Sequence, residues 1–216
     1  MFAESVLTLD SRQPHLSALL DDTRAMHRLV MSGFPVSSGP APRAAMNILY
    51  RLDGLPGGRV GVTVRATAVP DWSRLPVGVS ASPVQTSERT WEAGELVAMT
   101  CDANATKDRA MERGPNGARK QGLRVGLTQP GDLRDWFTRK GMQSGFVVQD
   151  LDAVPLGARR GTQGLSLWIV RFTATVLVVD PVAFVAAWAQ GIGRGRAFGA
   201  GMLVHNAEPF STQRVG

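Results

Sequence analysis

Residues 165–204 decide the fold, and they read LSLWIVRFTATVLVVDPVAFVAAWAQGIGRGRAFGAGMLV. Apolar residues alternate with polar ones over 170–178, which predicts a strand with one buried face. The Asp-Pro pair at 180–181 then predicts a helix start, because aspartate caps helices and proline suits their first turn. Gly191 ends this helix, and we expect the chain to return as a strand over 196–204.

The same order of elements extends to the rest of the second half. Strands are predicted over 94–103 (GELVAMTCDA) and 144–154 (SGFVVQDLDAV). Between them the sequence GDLRDWFTRKG, residues 131–141, predicts a short helix with Asp132 or Gly131 as its N-cap. The second half therefore reads strand–helix–strand–strand–helix–strand.

The first half has a similar but shorter order. A strand is predicted over 2–9, and apolar residues at helical spacing predict one helix that follows Pro14 and ends near Gly33. Two β-rich runs, 45–54 and 58–67, are separated by Leu-Pro-Gly-Gly and predict a hairpin.

Two ferredoxin-like α+β domains with antiparallel sheets follow from this order of elements. The stretch from about residue 70 to 92 is rich in Pro, Ser and Thr and has no periodicity. We therefore expect an N-terminal domain over 1–75, a linker over 76–92, and a C-terminal domain with the Gly-rich loop over 93–216. A single domain with one mixed sheet is the alternative.

Composition points to an acidic partner. The 216 residues contain 24 Lys and Arg against 18 Asp and Glu, a formal net charge of +6, which favours a polyanion. No run approaches the roughly eighteen apolar residues of a membrane span, and the first residues do not resemble a secretion signal. We therefore expect a cytoplasmic protein without a membrane partner. Cys101 is the only cysteine, and a small buried residue is favoured over a reactive thiol.

Positive charge clusters in two segments. One runs from 107 to 124, and the other follows Asp152, where the remaining acids are Asp180 and Glu208. Because these cations lie in irregular, Gly-rich sequence, where backbone and guanidinium both reach phosphate, they favour nucleic acid over a merely soluble surface. The cations we expect to bind RNA are Lys107, Arg119, Lys120, Arg124, Arg159, Arg160, Arg194 and Arg196.

The segment GIGRGRAFGAG, residues 191–201, is the most distinctive motif. It is not a P-loop, because no Gly-Lys-Ser/Thr follows, and its glycine spacing does not fit the dinucleotide fingerprint. A flexible turn with positive φ angles is one interpretation. The other is a loop whose bare backbone approaches RNA closely, and we expect this of Gly191, Gly193, Gly195, Gly199 and Gly201.

Four motifs in order resemble one family. The segment 191–204 resembles the terminal Gly-rich loop of RAMP proteins, the CRISPR-associated RNA-binding proteins. RAMHRLVMSGF (24–34), CDANATKDR (101–109) and GDLRDWFTRKGMQSGF (131–146) resemble, in that order, the histidine helix, the Asn-Pro-Thr-Lys strand end and the Leu-x-x-Trp-Leu helix of CasE. CasE is the processing endoribonuclease of the type I-E Cascade complex, and the resemblance covers residues 5 to 204.

The resemblance implies a tandem ferredoxin-like fold that binds the stem-loop of CRISPR repeat RNA and cuts the precursor at the 3′ base of the hairpin. It further implies that the protein stays bound to its product as a subunit of Cascade, with the other Cascade subunits as partners. His27 is the residue that matches the catalytic histidine. The family often has a tyrosine one helical turn earlier, where this chain has Arg24.

The residues support the same chemistry independently. Cleavage by the ribose 2′-hydroxyl needs a proton acceptor, a proton donor and cations near the phosphorus. Histidine suits the proton roles because its ordinary pKa is about 6.5. Arg24 shares a helix face with His27 and is expected to stabilise charge; an ion pair with Asp21 or a solvent position is the alternative. The carboxylates are scattered, so we expect no metal and no cofactor.

RNA holding is expected from a basic hairpin. LGARRGTQG (156–164) places Arg159 and Arg160 between two predicted strands and resembles the hairpin that the family inserts along its RNA stem. An ordinary solvated hairpin is the alternative. The tryptophans are possible stacking platforms, but packing in the core is favoured for Trp136, Trp168 and Trp188.

Two other functions remain open. The first is a non-catalytic RNA-binding RAMP subunit with the same fold. The second is a DNA-binding regulator, but the sequence contains no helix-turn-helix pair to support it.

Overall fold

The chain is described here from a computed structural model that defines residues 1–36, 41–109 and 123–206. Its helices are α1 (Pro14–Asp21), α2 (Thr23–Met31), α3 (Pro42–Ala45), α4 (Pro130–Gln143) and α5 (Pro181–Gln190). Its strands are β1 (Phe2–Asp10), β2 (Leu49–Leu55), β3 (Arg59–Ala66), β4 (Val79–Ala81), β5 (Gln85–Ser87), β6 (Leu96–Asn104), β7 (Thr106–Arg109), β8 (Leu123–Gly126), β9 (Phe146–Gly161), β10 (Leu165–Val178) and β11 (Leu203–His205). None of the helices in these ranges has the length and apolar character needed to cross a bilayer.

Two antiparallel sheets have the same strand order. The first is β2-β3-β1-β4, with β5 also paired to β1, and the second is β11-β6-β10-β9. In each sheet the strand that comes first in the chain lies between the third and the fourth, which is the arrangement of a ferredoxin-like domain. The predicted tandem ferredoxin-like fold is confirmed. The first domain departs from the pattern, because residues 67–78 contain no helix.

The predicted linker is not a free connection between the domains. Residues 79–87, inside the expected 76–92 segment, form β4 and β5 and pair with β1. Val79 and Ala81 also pack against the first core. These strands could not be seen in the sequence, because each has only three residues, too few to show hydrophobic periodicity. They form because they cover the edge of β1, which would otherwise leave backbone groups unpaired.

The single helix expected to end near Gly33 is two helices. Asp22 interrupts it with an extended backbone (φ −109°, ψ 104°), and the carboxylate of Asp22 accepts a hydrogen bond from the Arg24 amide. A capping carboxylate satisfies a free amide at a helix start, so a new helix begins at Thr23. This break sets the direction of α2 and therefore the position of His27.

Two further expectations were wrong in detail. Helix α4 begins at Pro130 with Gln129 as its N-cap, and neither Asp132 nor Gly131 caps it. The strand expected over 196–204 is confined to β11 at its end. The residues before it form a 3-10 turn at Arg196–Phe198, because the glycines around that turn have positive φ angles that a strand does not allow.

Each domain has its own apolar core. Helices α1 and α2 cover the first sheet, and Leu7, Leu9, Leu16, Met26 and Tyr50 are among its most buried residues. The second core is aromatic and is formed by β6, β10, α4 and α5; Trp136, Phe137, Phe146, Phe172, Phe184 and Trp188 belong to it.

A buried carboxylate joins the two domains. Asp102 on β6 is 1% exposed, and it accepts hydrogen bonds from Nε and Nη2 of Arg171 at 2.7 and 2.9 Å. Nη2 of Arg171 also donates to Asp53 on β2, in the first domain, at 2.9 Å. Arg159 on β9 reaches the same carboxylate at 3.3 Å. One anion therefore links β2, β6, β9 and β10.

A buried arginine forms a second joint. Arg65 on β3 is 2% exposed and pairs with Glu4, and its Nη1 donates to the carbonyl of Leu203 at 2.8 Å. Its guanidinium lies 4.0 Å from the ring centre of Trp188. The first sheet is thus fixed to the second domain by hydrogen bonds and a cation–π contact.

We expect Asp102→Asn to lower the free energy of unfolding by about 3–5 kcal/mol, because loss of one charge from a buried ion pair leaves the other uncompensated. Chemical denaturation followed by circular dichroism measures this. The matched control is Asp108→Asn, which removes an exposed partner of Arg124 and should cost less than about 1 kcal/mol. Equal losses in the two variants would contradict the importance of the buried anion.

Candidate functional site

Helix α2 and the Gly-rich loop, residues 191–201, meet at His27. The imidazole is half-buried, and its ring centre lies 5.5 Å from that of Phe198 in an edge-to-face contact of 64°. Phe198 ends the 3-10 turn of the loop. Two motifs that are about 170 residues apart in the chain are therefore in direct contact.

Burial lowers the pKa of His27, and the positive charges of Arg43, Arg28 and Arg24 lower it further. The backbone carbonyl of Ala197 acts in the opposite direction, because it stabilises the protonated ring. The ring is therefore mostly neutral at pH 7 and able to accept a proton. In the ranges that the structure describes, no carboxylate forms an ion pair with it.

Arg24 lies one turn before His27 and shares its aromatic neighbour. Its guanidinium carbon is 5.9 Å from the centre of the Phe198 ring. Its Nε donates to the carbonyl of Thr162, in the turn between β9 and β10, at 2.9 Å. No ion pair with Asp21 is formed, so the alternative of that pair is wrong. The Nε of Arg24 is thus held by the turn, and its charge is close enough to act on the imidazole of His27.

Arg43 is a site residue that the sequence analysis missed. It lies on α3, it is half-buried, and its Nη1 donates to the carbonyl of Ile48 at 2.8 Å. Burial and the nearby charge of Arg196 lower its pKa, and its own charge lowers the pKa of His27. Nothing in the sequence around 43 indicated this, because the effect depends on the distance between Arg43 and His27 in the folded chain.

The basic hairpin, residues 156–164, is held against the start of α2. The hydroxyl of Thr23 donates to the carbonyl of Arg160, and the amide of Thr162 donates to the Asp22 carboxylate at 3.2 Å. Arg160 is exposed. Arg159 is half-buried and bonds to Asp102 and to the carbonyl of Gly199, at 3.3 and 3.2 Å. Of the two arginines expected to bind RNA, Arg160 is available and Arg159 holds the loop.

The glycines of the loop are required mostly by internal packing. Gly191, Gly199 and Gly201 are buried, so the expectation that their backbone approaches RNA is wrong. A Cβ at Gly199 would lie 2.7 Å from a ring carbon of Tyr50, and one at Gly201 would lie 2.0 Å from the carbonyl oxygen of Ile192. Gly193 and Gly195 are half-exposed.

The remaining cations lie at several places. Lys107 and Arg124 form exposed ion pairs with Asp132 and Asp108, each at 2.7 Å. Arg196 is half-buried and donates to the carbonyl of Gln190 at 3.3 Å, while Arg194 is exposed on the other side of Gly195. The two remaining predicted cations, Arg119 and Lys120, lie outside the described residues.

Comparison with known proteins identifies the family. A sequence model of the family described as "CRISPR associated protein" matches residues 3–205. The chain belongs to this family. It is 28% identical over 173 residues to the CRISPR-associated endoribonuclease Cse3 of Thermus thermophilus, covering 72% of this chain and 78% of that protein.

Solved structures share the fold of this CRISPR-associated chain. A structure of Thermus thermophilus Cse3 bound to an RNA representing a pre-cleavage complex has a TM-score of 0.79 at 23% identity, and covers 95% of this chain and 98% of its own. The CRISPR-associated protein Cas6e from Escherichia coli K-12 has a TM-score of 0.73 at 18% identity, and covers 97% and 100%. The kinship expected from the four motifs is confirmed.

Other chemistry-bearing residues lie away from this site. His15 and His205 are exposed, and the buried Cys101 has a pKa raised by burial. The tryptophans serve packing: Trp91, Trp136 and Trp188 are buried, while Trp168 and Trp72 are half-buried and donate to Leu127 and Ser5. In the described ranges no three His, Cys, Asp or Glu side chains come close enough to hold a metal ion.

We expect the imidazole of His27 to titrate below about 6.5, the ordinary value for histidine. Its folded-state pKa is below that of the unfolded chain, so the unfolded chain binds more protons as pH falls below 6.5, and this group then lowers stability. Arg43→Gln should move the titration midpoint upward, because it removes a nearby cation. Proton NMR of the ring, assigned with His27→Gln, measures the midpoint.

The control for that shift is Arg59→Gln, which removes an exposed arginine on β3. It should leave the midpoint where it is. A midpoint that does not rise in Arg43→Gln would show that Arg43 does not act on the imidazole.

Proposed function

We propose that this protein is a CRISPR repeat-specific endoribonuclease that cuts precursor CRISPR RNA at the 3′ base of the repeat hairpin, without a metal ion. The observation that carries the proposal is the half-buried, mostly neutral His27 among three arginines, at the contact of α2 with the Gly-rich loop. The endoribonuclease name of the Thermus thermophilus relative supports the reaction class. The RNA held in the Cse3 structures supports the substrate class.

The chemistry needs three functions, and the site contains groups for each. The neutral imidazole of His27 takes the proton of the ribose 2′-hydroxyl, and the 2′-oxygen attacks the adjacent phosphorus. As the new O2′–P bond forms, the P–O5′ bond breaks, and the 5′-oxygen leaves with the proton that His27 took from the 2′-hydroxyl, so the imidazole returns to its neutral form. The products are a 2′,3′-cyclic phosphate and a 5′-hydroxyl.

Arginines supply the positive charge that the transition state requires. Arg24 shares the Phe198 neighbour of His27, and the charges of Arg24 and Arg43 both act on the imidazole. A guanidinium stabilises the extra negative charge on phosphorus through paired hydrogen bonds. Because a guanidinium stays protonated near neutral pH, Arg24 does not act as the proton acceptor. In this proposal Arg24 occupies the position of the family tyrosine and stabilises the negative charge of the transition state.

The exposed face of the basic hairpin holds the RNA stem. A-form RNA has a deep and narrow major groove, so proteins grip it largely through phosphates and shape. Arg160 is exposed on β9, and its own backbone is fixed to Thr23 at the start of α2. A stem held by Arg160 therefore lies next to the helix that carries His27.

The same chain is proposed to stay with its product in a larger complex in the cytoplasm. Chains from two structures of a CRISPR RNA-guided surveillance complex share its fold, with TM-scores of 0.64 at 16% and 18% identity. A subunit that keeps the hairpin after cutting fits such an assembly, and the other Cascade subunits are its expected partners.

We expect His27→Gln to slow cleavage of repeat RNA by about 10²–10⁴-fold, the usual effect of losing a proton-transfer group. Hairpin binding should change little, because the RNA is held by other residues. Single-turnover cleavage in chelator, with mapping of the product ends, measures this. His205→Gln is the matched control, because that histidine is exposed at the end of β11.

Three outcomes would overturn parts of the proposal. Cleavage of a substrate with 2′-deoxyribose upstream of the cut would exclude attack by the 2′-hydroxyl. Loss of activity in chelator would contradict the metal-independent mechanism. Tight binding of repeat RNA with no cleavage by the wild-type protein would leave the non-catalytic RNA-binding subunit as its function.

We expect Arg160→Gln to weaken binding of the repeat hairpin and to reduce the salt dependence of log Kd by about 1, the effect of one lost phosphate contact. Arg59→Gln removes the same charge from β3, which is not part of the hairpin, and should do neither. Fluorescence anisotropy at several salt concentrations measures both. An unchanged slope for Arg160→Gln would exclude that contact.

A further inference from the structure

A second basic surface lies on the α4 side of the Gly-rich loop, outside the group of residues around His27. It is a cleft of about 160 Å³, and its polar lining comes from five parts of the fold: β6, β7, β8, α4 and the Gly-rich loop. The cations are Arg124 on β8, Arg139 and Lys140 on α4, and Arg194 in the Gly-rich loop. Asn104 at the end of β6 adds an amide.

The charges of this cleft are poorly balanced by the protein. Among the described lining residues the one carboxylate is Asp108, which is already paired with Arg124 at 2.7 Å. No carboxylate of the described ranges lies within ion-pair distance of Arg139 or Lys140. Within those ranges Lys140 donates only to the neutral Oε1 of Gln143, at 3.1 Å. Cations that converge without a carboxylate partner repel each other, and an anion in the cleft removes that repulsion.

The lining of the cleft also contains a packed indole and a glycine, Trp136 and Gly193. Trp136 forms part of it and is stacked on Phe172 with ring centres 5.5 Å apart. Gly193 lies beside the indole with φ +73°, and a Cβ there would approach the ring to 3.3 Å. The glycine therefore keeps the loop close to the indole and leaves the cleft accessible.

A neighbouring cavity extends from this cleft along the Gly-rich loop. The cavity has a volume of about 420 Å³, shares Lys140 and Gly193 with the cleft, and is lined at its other side by Arg196. The charge of Arg196 reaches Arg43, whose charge reaches His27. Cations therefore follow one another from Lys140 and Arg196, along the Gly-rich loop, to Arg43, whose charge acts on the imidazole of His27.

We propose that the α4 cleft binds a phosphodiester of the single-stranded RNA that continues 3′ of the cut. This inference rests on the proposed function, because the row of cations leads from the cleft to His27, where the scissile phosphate would lie. The cleft is smaller than the roughly 300–1,000 Å³ of pockets that enclose whole small molecules, so it suits one phosphate group. The larger cavity beside the cleft has room for a nucleoside between the scissile phosphate and the phosphate bound in the cleft.

The test compares two RNAs that carry 2′-deoxyribose at the cut site and so remain intact: the repeat hairpin alone, and the hairpin with a 3′ single-stranded extension. Wild-type protein should bind the extended RNA more tightly. The double variant R139Q/K140Q should lose about tenfold of affinity for the extended RNA, the effect of a lost charge-assisted contact, and keep its affinity for the hairpin alone. Its salt slope for the extended RNA should fall by about 0.7 for each lost contact.

The control R59Q/R134Q removes the same number of positive charges. Both residues are exposed arginines, one on β3 and one on a part of α4 that does not line the cleft. It should bind both RNAs as the wild type does. An equal loss in this control would show that net charge alone, and not the cleft, supplies the affinity.

Other outcomes separate the proposals. If the 3′ extension adds no affinity, or if R139Q/K140Q keeps the full gain, the cleft does not bind the 3′ segment. A second measurement adds inorganic phosphate at constant ionic strength and records the melting temperature. If phosphate raises it for the wild type and not for R139Q/K140Q, while the 3′ extension adds no RNA affinity, the cleft binds a free anion instead. If the wild type fails to bind the hairpin itself, the proposed function is wrong.

Discussion

The buried carboxylate of Asp102 is the constraint on which the arrangement depends. Its side chain binds Arg171, which also reaches Asp53 in the first domain, and it binds Arg159 of the basic hairpin. Its backbone carbonyl accepts from the amide of Gly201 at 2.6 Å. A buried charge is tolerated only when its partners surround it. The need to satisfy one anion therefore fixes the hairpin, the Gly-rich loop and the two sheets relative to each other.

Most of the fold could be predicted from the sequence, because alternation in strands such as β10 and the Asp-Pro start of α5 are local signals. The elements that were missed depend on tertiary contacts. Strands β4 and β5 have three residues each and exist because β1 offers its edge. The break at Asp22 was hidden because apolar residues keep helical spacing on both sides of it, although the aspartate itself is a capping residue.

The candidate site was predicted in part. The motif around His27 and the Gly-rich loop were visible, and the structure brings them into contact through Phe198. Arg43 was missed because it joins the site through the packing of α3. The role of the glycines was misread: sequence does not distinguish a glycine that exposes backbone to a ligand from one, such as Gly201, that makes room for a neighbouring carbonyl. Arg159 and Arg160 are adjacent, yet strand alternation turns one inward and the other outward.

The cap of α2 has a consequence for substrate selection. The carboxylate of Asp22 accepts both from the first turn of α2 and from the Thr162 amide at the tip of the basic hairpin. A helix and a hairpin that share one hydrogen-bond acceptor move together, so a displacement of the hairpin also displaces α2 and its imidazole. By reciprocity, a ligand that stabilises one position of the imidazole also stabilises the matching position of the hairpin. In the proposed endoribonuclease, discrimination between correct and incorrect duplexes can therefore arise in the rate of the chemical step, even among RNAs that are held with equal strength.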